Sequence, residues 1–401
     1  MTKTIAWVVN RLDRMGGGER LLLEGVKYYR EQGYRAIVIT WFFDEDALFD
    51  GAYENKDIYV LGTTEAPRSK IIQRAWSRFR TLGKLRKILK GEGVTQVFVQ
   101  GEYDVALVYL ATLFSHIRYR FIVFGQMFQY PHDIAKYALV FRRHLRAIVA
   151  SRPGYTATVR VQPPRRSPLN WLANELISMV RLLAVRGAER RFCFSRQMQW
   201  ETRLLFGSEA VVAAGAFPKT LLGQTEFSNV ALGRYGLVEN QYILSLSRLD
   251  RKKRIDLIID GFAQSGTADT LVIAGSGDDE VFLRQCAAKT LVADRILFTG
   301  RVDDVDMIPL KRHAKLFVSM DVGDYDISPL EALAVGTPAL CCTDFDAHEK
   351  LESMSGFRRI EPTVNQLSEA LAAWSQDPPI VDRDLLAYFT WERYFGTLDS
   401  R

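Results

Sequence analysis

Short apolar runs alternate with stretches of helical periodicity along almost the whole chain. Residues 5–9 (IAWVV) read as a buried strand. After a loop ending in Gly16-Gly17-Gly18, the apolar positions Leu22, Leu23, Val26 and Tyr29 repeat at helical spacing as far as Gly33. Residues 36–41 form the next apolar run. Strand, glycine loop, helix and strand in this order predict a βαβ unit of a doubly wound sheet. The glycines let backbone approach a ligand closely, and the following helix start favours an anion. Further strands are expected at 96–100, 121–124, 191–195 and 211–214, with helices at 68–90, 171–185 and 197–206. Residues 217–240 have weak periodicity and read as a linker.

The pattern then restarts. Strands at 242–246, 270–274, 296–299, 316–319 and 339–342 alternate with helices at 255–264, 279–289 and 308–314, without hairpin signals. This predicts a second parallel, doubly wound sheet. Near its end, Ser328-Pro329-Leu330-Glu331 reads as a helix start. Ser328 suits the N-cap, Pro329 the first helical position and Glu331 the third position after the cap. Gly336-Thr337-Pro338 stops that helix. A helix beginning at the carboxyl end of a parallel strand is where α/β proteins hold phosphates.

Composition narrows the class without changing the fold. The chain has 401 residues, 48% hydrophobic and 25% charged, as in an ordinary globular protein of about two domains. The opening apolar run is too short for a secretory signal, and no run reaches the roughly 18 apolar residues of a membrane span. The cysteines (Cys193, Cys286, Cys341, Cys342) fit neither a disulfide framework nor a zinc site, so a reducing cytoplasm is expected. The net charge of +6 is concentrated: residues 68–90 carry nine Lys/Arg and 136–166 carry eight, with no acid in either. Residues 130–166 mix these cations with apolar side chains before Pro163-Pro164-Arg165-Arg166. No nucleic-acid module accompanies them, so an anionic membrane surface is the expected partner and nucleic acid is not.

The basic loop 248–254 follows a strand, and Gly275-Ser276-Gly277 and Gly300-Arg301-Val302 follow the next two. With Ile327-Ser328-Pro329-Leu330-Glu331-Ala332 and the N-terminal Gly16-Gly17-Gly18-Glu19-Arg20, these residues resemble retaining glycosyltransferases of family 4. The resemblance is strong over 242–377 and poor over 130–187. It implies the GT-B fold: α/β, two Rossmann-like doubly wound parallel-sheet domains facing a central cleft. The implied domains are an acceptor domain over 1–220, divergent over about 130–187, and a nucleotide-sugar domain over 236–385. Residues 386–401 would form a C-terminal helix crossing back.

The resemblance also assigns roles. Arg248 and Lys253 match the family's Arg and Lys that hold the donor diphosphate, where two cations stabilise charge growing on the leaving phosphate. Glu331 matches the Glu that binds the ribose hydroxyls. Gly17, Gly18, Gly275, Gly277, Arg301, Asp324, Ile327, Ser328 and Leu330 would line the donor site, and Gln126 and Glu102 would contact sugar or acceptor. The sequence departs from the family at Gly323, where a first Glu is usual and where Asp324 is the displaced alternative. It departs again at Asp326, where Gly is usual, and at Gln126, in the place of a common His.

The implied activity is retaining transfer from a UDP- or GDP-linked sugar to a hydroxyl of a lipid-linked or cell-surface glycan. It would need no metal and would take place at the cytoplasmic membrane face. The missing first Glu motivates an alternative, a non-catalytic nucleotide- or glycan-binding subunit that scaffolds a partner transferase. A nucleotide-sugar epimerase of the same fold ranks last, because no acid/base pair accompanies the five histidines.

Overall fold

The computed structural model describes residues 3–12, 16–44, 57–62, 71–123, 139–151, 168–322, 325–344 and 346–400. The described residues form two compact units, one carrying residues up to Ser151, those from 168 to Ala213 and those from Phe395, the other carrying Ala214–Tyr394.

The first unit contains β1 (Thr4–Leu12), β2 (Arg35–Phe43), β3 (Ile58–Val60), β4 (Val94–Gln100), β5 (Arg118–Val123), β6 (Arg190–Cys193) and β7 (Val211–Val212). They pair in parallel in the order β3-β2-β1-β4-β5-β6-β7. The second unit contains β8 (Tyr242–Leu246), β9 (Thr270–Ala274), β10 (Ile296–Gly300), β11 (Leu316–Ser319), β12 (Ala339–Cys342) and β13 (Phe357–Ile360), in the order β10-β9-β8-β11-β12-β13. Both sheets reverse direction once, between β1 and β4 and between β8 and β11. A crevice at the carboxyl ends of those strands is where an open α/β sheet takes its ligand.

Packing explains the registers. Trp7 of β1 stacks on Phe98 of β4 with ring centroids 4.8 Å apart and meets the edge of Phe395 at 6.2 Å. A Cβ on Gly25 would lie 2.5 Å from the Trp7 ring, so only glycine lets the helix Gly17–Glu31 sit this close. Phe395 lies on the C-terminal helix Trp391–Asp399, and Tyr29 donates to Asp399 at 2.7 Å. The last residues of the chain therefore pack into the first unit's core. In the second unit, Gly261 lets the helix Ile255–Ser265 approach Leu367 of the helix Val364–Gln376; a Cβ there would stand 2.7 Å away.

Three readings change. The cation-rich segment 130–166, for which no element was expected, contains a helix, Leu139–Ser151, that buries Phe141, Leu145 and Ile148. Its i, i+4, i+7 spacing is masked in sequence by the cations between. The expected linker 217–240 instead belongs to the second unit from Ala214 onward. Its short helices Thr220–Gly223 and Val230–Tyr235 bury Leu221, Ala231 and Leu232, and Trp391 N–H donates to the Phe217 carbonyl at 2.9 Å. The helix expected at 308–314 starts one turn earlier, at Asp304, and carries Pro309 inside it.

Candidate donor site at the carboxyl ends of β8 and β11

The loop after β8 is held by the loop after β9. Ser247 N–H donates to the Ala274 carbonyl and Leu249 N–H to the Ser276 carbonyl, each at 3.0 Å, so the two chains run side by side beyond the sheet. The glycines make this possible. Gly275 sits at φ 133°, and a Cβ there would be 1.9 Å from the Ser247 oxygen; a Cβ on Gly277 would be 2.3 Å from the Leu249 oxygen. The close approach expected of Gly275 and Gly277 is thus made to the Arg248 loop. Leu249 is buried and anchors that loop, which leaves the Arg248 side chain 59% exposed with its nearest carboxylate, Asp250, at 3.7 Å. Arg301, after β10, is also exposed.

Lys253 is differently placed. It ends the 3-10 turn Arg251–Lys253, which Asp250 caps by accepting from Lys252 N–H at 3.0 Å. Its ammonium pairs with the fully buried Asp321, just after β11, and lies 3.7 Å from Asp326. Val322 N–H donates to the Lys252 carbonyl at 3.1 Å, tying the two loops together. The two cations thus differ in setting: Arg248 faces outward, whereas Lys253 is balanced by carboxylates that converge on it.

The helix start is corrected as well. The helix is Ile327–Ala334, and its cap is Asp326, whose carboxylate accepts from Ser328 N–H at 3.2 Å. Ser328 is the second helical residue and Pro329 the third. Asp326 also accepts from Ser319 at 3.3 Å. A carboxylate with three such partners outcompetes a serine hydroxyl for the cap. Of the four N–H positions at a helix start, Pro329 has no hydrogen and that of Ser328 is taken, leaving those of Asp326 and Ile327 for a ligand. Ile327 and Leu330 are core residues.

Glu331 does not close a capping box. Its carboxylate pairs with Lys311, from the C-terminal end of the helix Asp304–His313, and both side chains are at most 2% exposed. Thr337 donates to the Lys311 carbonyl at 2.6 Å and fixes the neighbouring turn. Sequence reading missed Lys311, since a lysine between leucine and arginine looks like part of a solvated face. It also left the Lys253 partnership of Asp321 unseen.

In the first unit, Gly17 and Gly18 open the helix Gly17–Glu31, whose N-cap Gly16 brings no side-chain cap. Glu102 opens the helix Glu102–Thr112 after β4. Next to it stand two groups with no assigned role. Asp104 is buried, and burial alone pushes its carboxyl up to about 8. Its Oδ2 lies 3.0 Å from where a Cβ on Gly101 would stand. Gln100, the last residue of β4, is buried with its Nε2 lacking a partner among the described residues. Gln126, Gly323 and Asp324 lie outside the described residues. Among the described residues, no cluster of His, Cys, Asp and Glu could hold a metal ion.

Comparison with known proteins follows this geometry. Residues 235–386 match the family described as glycosyl transferases group 1. The match spans all six strands of the second unit, with the Arg248 loop, both glycines and the Glu331 helix inside it. Mannosylfructose-phosphate synthase of Agrobacterium fabrum is 34% identical over 119 residues, 27% of this chain and 26% of that protein. A GDP-mannose-dependent monoacylated alpha-(1-6)-phosphatidylinositol monomannoside mannosyltransferase of Corynebacterium glutamicum is 33% identical over 143 residues, 33% of this chain and 37% of that protein. The chain thus matches well under half the length of either relative. The solved structure of Anabaena HepE with UDP and glucose superposes at a TM-score of 0.66 with 17% identity, over 99% of this chain and 94% of that one. The fold is GT-B, as the two sheet orders and this superposition agree.

Proposed function

We propose that the chain is a retaining glycosyltransferase that moves a sugar from a nucleotide diphosphate donor to a hydroxyl of a lipid-linked or cell-surface glycan. The observation that carries this reading is Arg248. It is an outward-facing guanidinium on a loop that two glycines clamp to the sheet and whose Lys253 reaches Asp326 at the helix start. A guanidinium so placed is preorganised for a diphosphate and strengthens its hold as negative charge grows there. The bond between sugar C1 and the phosphate oxygen breaks while the acceptor oxygen bonds C1 from the same face. The acceptor proton passes to the departing phosphate oxygen, so no side-chain base and no metal is required.

Lys253 with Asp321 and Asp326 holds the neighbouring loop, and Glu331, oriented by Lys311, is the carboxylate for the ribose. UDP in the HepE structure and the GDP-mannose of the Corynebacterium relative support a diphosphonucleoside donor of either base. The acceptor is taken at an anionic membrane surface on the cytoplasmic side, toward which the basic segments 68–90 and 136–166 are drawn.

The test is thermal stabilisation by UDP, GDP and ADP followed by transfer from the matching sugar nucleotides to membrane lipid extracts. One base should stabilise the protein, by RT ln(1 + [L]/Kd), and its sugar conjugate should turn over. Absence of both nucleotide release and transfer, with Arg248→Ala no different from the parent, rejects the proposal. The buried Lys311–Glu331 pair favours one second reading, a nucleotide-binding subunit without turnover, because that carboxylate already has a cation. Stabilisation without transfer, relieved only by a partner protein, would select it.

A further inference from the structure

The helix Pro168–Gly187 has a buried face and an exposed apolar one. One packs inward through Ser178, Arg181, Leu182 and Val185. The other consists of Leu172, Leu176, Met179 and Leu183, between 47% and 61% exposed and spaced by four, three and four residues. These four lie in one row along the helix. Leu139, also exposed, stands beside the row, because its N–H donates to the Glu175 carboxylate at 3.1 and 3.0 Å. Thirteen large apolar side chains are exposed among the described residues, so more than a third of them share this one patch.

We infer that this row seats in the interface of an anionic lipid bilayer, with the helix axis in the membrane plane. Charge selects the occupant. Glu175 is the helix's sole acidic residue, and its carboxylate is turned to the start of the helix Leu139–Ser151. Arg146 and Arg186 are exposed on the two packed helices. An apolar row bordered by cations fits anionic headgroups over acyl chains. The helix is not apolar enough to cross a membrane. The row also covers only on the order of 400 Å², about half of what each partner buries in a stable protein interface.

The inference is independent of sugar transfer, because its test needs no donor. Flotation with vesicles of phosphatidylglycerol and phosphatidylcholine in equal parts, and of phosphatidylcholine alone, reads it directly. The parent chain should float with the anionic vesicles, and raised salt should weaken the binding without abolishing it. Leu176→Ser with Met179→Ser should reduce partition about tenfold, while Leu291→Ser, an exposed apolar residue of the other unit, should change nothing. Both variants should keep the parent's thermal midpoint. An environment-sensitive dye on Met179→Cys should shift to the blue on anionic vesicles only. Unchanged flotation of the double variant together with an unshifted dye overturns the inference. So does a parent dimer in light scattering that the double variant converts to monomer, which would give the row to a second copy.

Discussion

The two switch points of this molecule are built from the same strand order and filled in opposite ways. In the second unit buried charges occur in pairs: Lys253 with Asp321 beyond the carboxyl end of β11, and Lys311 with Glu331 between two helices. At the carboxyl end of β4, Asp104 is buried with burial as the cause that raises its pKa, and the Gln100 Nε2 has no partner among the described residues. Paired charges hold loops in one geometry whether or not a ligand arrives. A buried carboxyl held up by burial alone and a buried amide nitrogen without a hydrogen bond both cost stability. The second unit therefore holds its buried charges in fixed pairs, and the first leaves a buried carboxyl and amide at the same place in its sheet.

The largest effect should come from breaking a pair. Lys311→Met removes the cation paired with the buried Glu331, at a cost of roughly 3–5 kcal/mol in urea unfolding. Adding Glu331→Leu to the same chain should recover most of that loss, because the uncompensated charge is gone. If Lys311→Met alone costs less than about 1 kcal/mol, the pair is not a buried one and the contrast between the two switch points fails.

Arg248 comes next, and its effect should fall on rate alone. Removing one preorganised donor to a developing oxyanion costs about 10²–10³ in kcat. Arg248→Ala should lose that much transfer while its thermal midpoint stays within about a degree, since the side chain is more exposed than not. A matching loss of stability would make Arg248 structural.

Asp104 tests the other switch point. Its folded carboxyl titrates near 8, above its usual range, and the unfolded one near 4. The stability tied to its protonated form is therefore complete below about pH 4 and is lost as pH rises to about 8. Asp104→Asn removes that slope. Relative to the parent, the variant should gain on the order of 2 kcal/mol between pH 5 and pH 6.5 in urea titrations. An identical slope in both proteins would show that the carboxyl is ionised and partnered.

Much of this was legible in the chain. Apolar runs of strand length, broken by glycines at 33, 207 and 336, mark where elements end, because those positions carry positive φ. Arg248, Gly275 and Gly277 could be located by spacing after strands. Charge pairing could not. Lys311 and Glu331 are twenty residues apart and meet only because two helices pack, and Asp321 lies 68 residues from Lys253. Periodicity also fails where cations interrupt it, as in the helix Leu139–Ser151. The cap moved from Ser328 to Asp326 because Lys253 and Ser319 hold the aspartate there, a tertiary cause invisible to local propensity.

Asp326 offers the smallest effect and the sharpest sign. Its carboxylate caps the helix Ile327–Ala334, so Asp326→Ala should cost about 1 kcal/mol of stability. The same change removes a negative charge from the helix start and releases Ser328 N–H, both of which favour a diphosphate. The variant should therefore be less stable yet bind UDP or GDP a few-fold more tightly by calorimetry, two shifts of opposite sign from one substitution. If affinity falls along with stability, the carboxylate holds Lys253 in the position the donor needs. The paired charges of the second unit would then belong to the binding surface itself and not only to the scaffold beneath it.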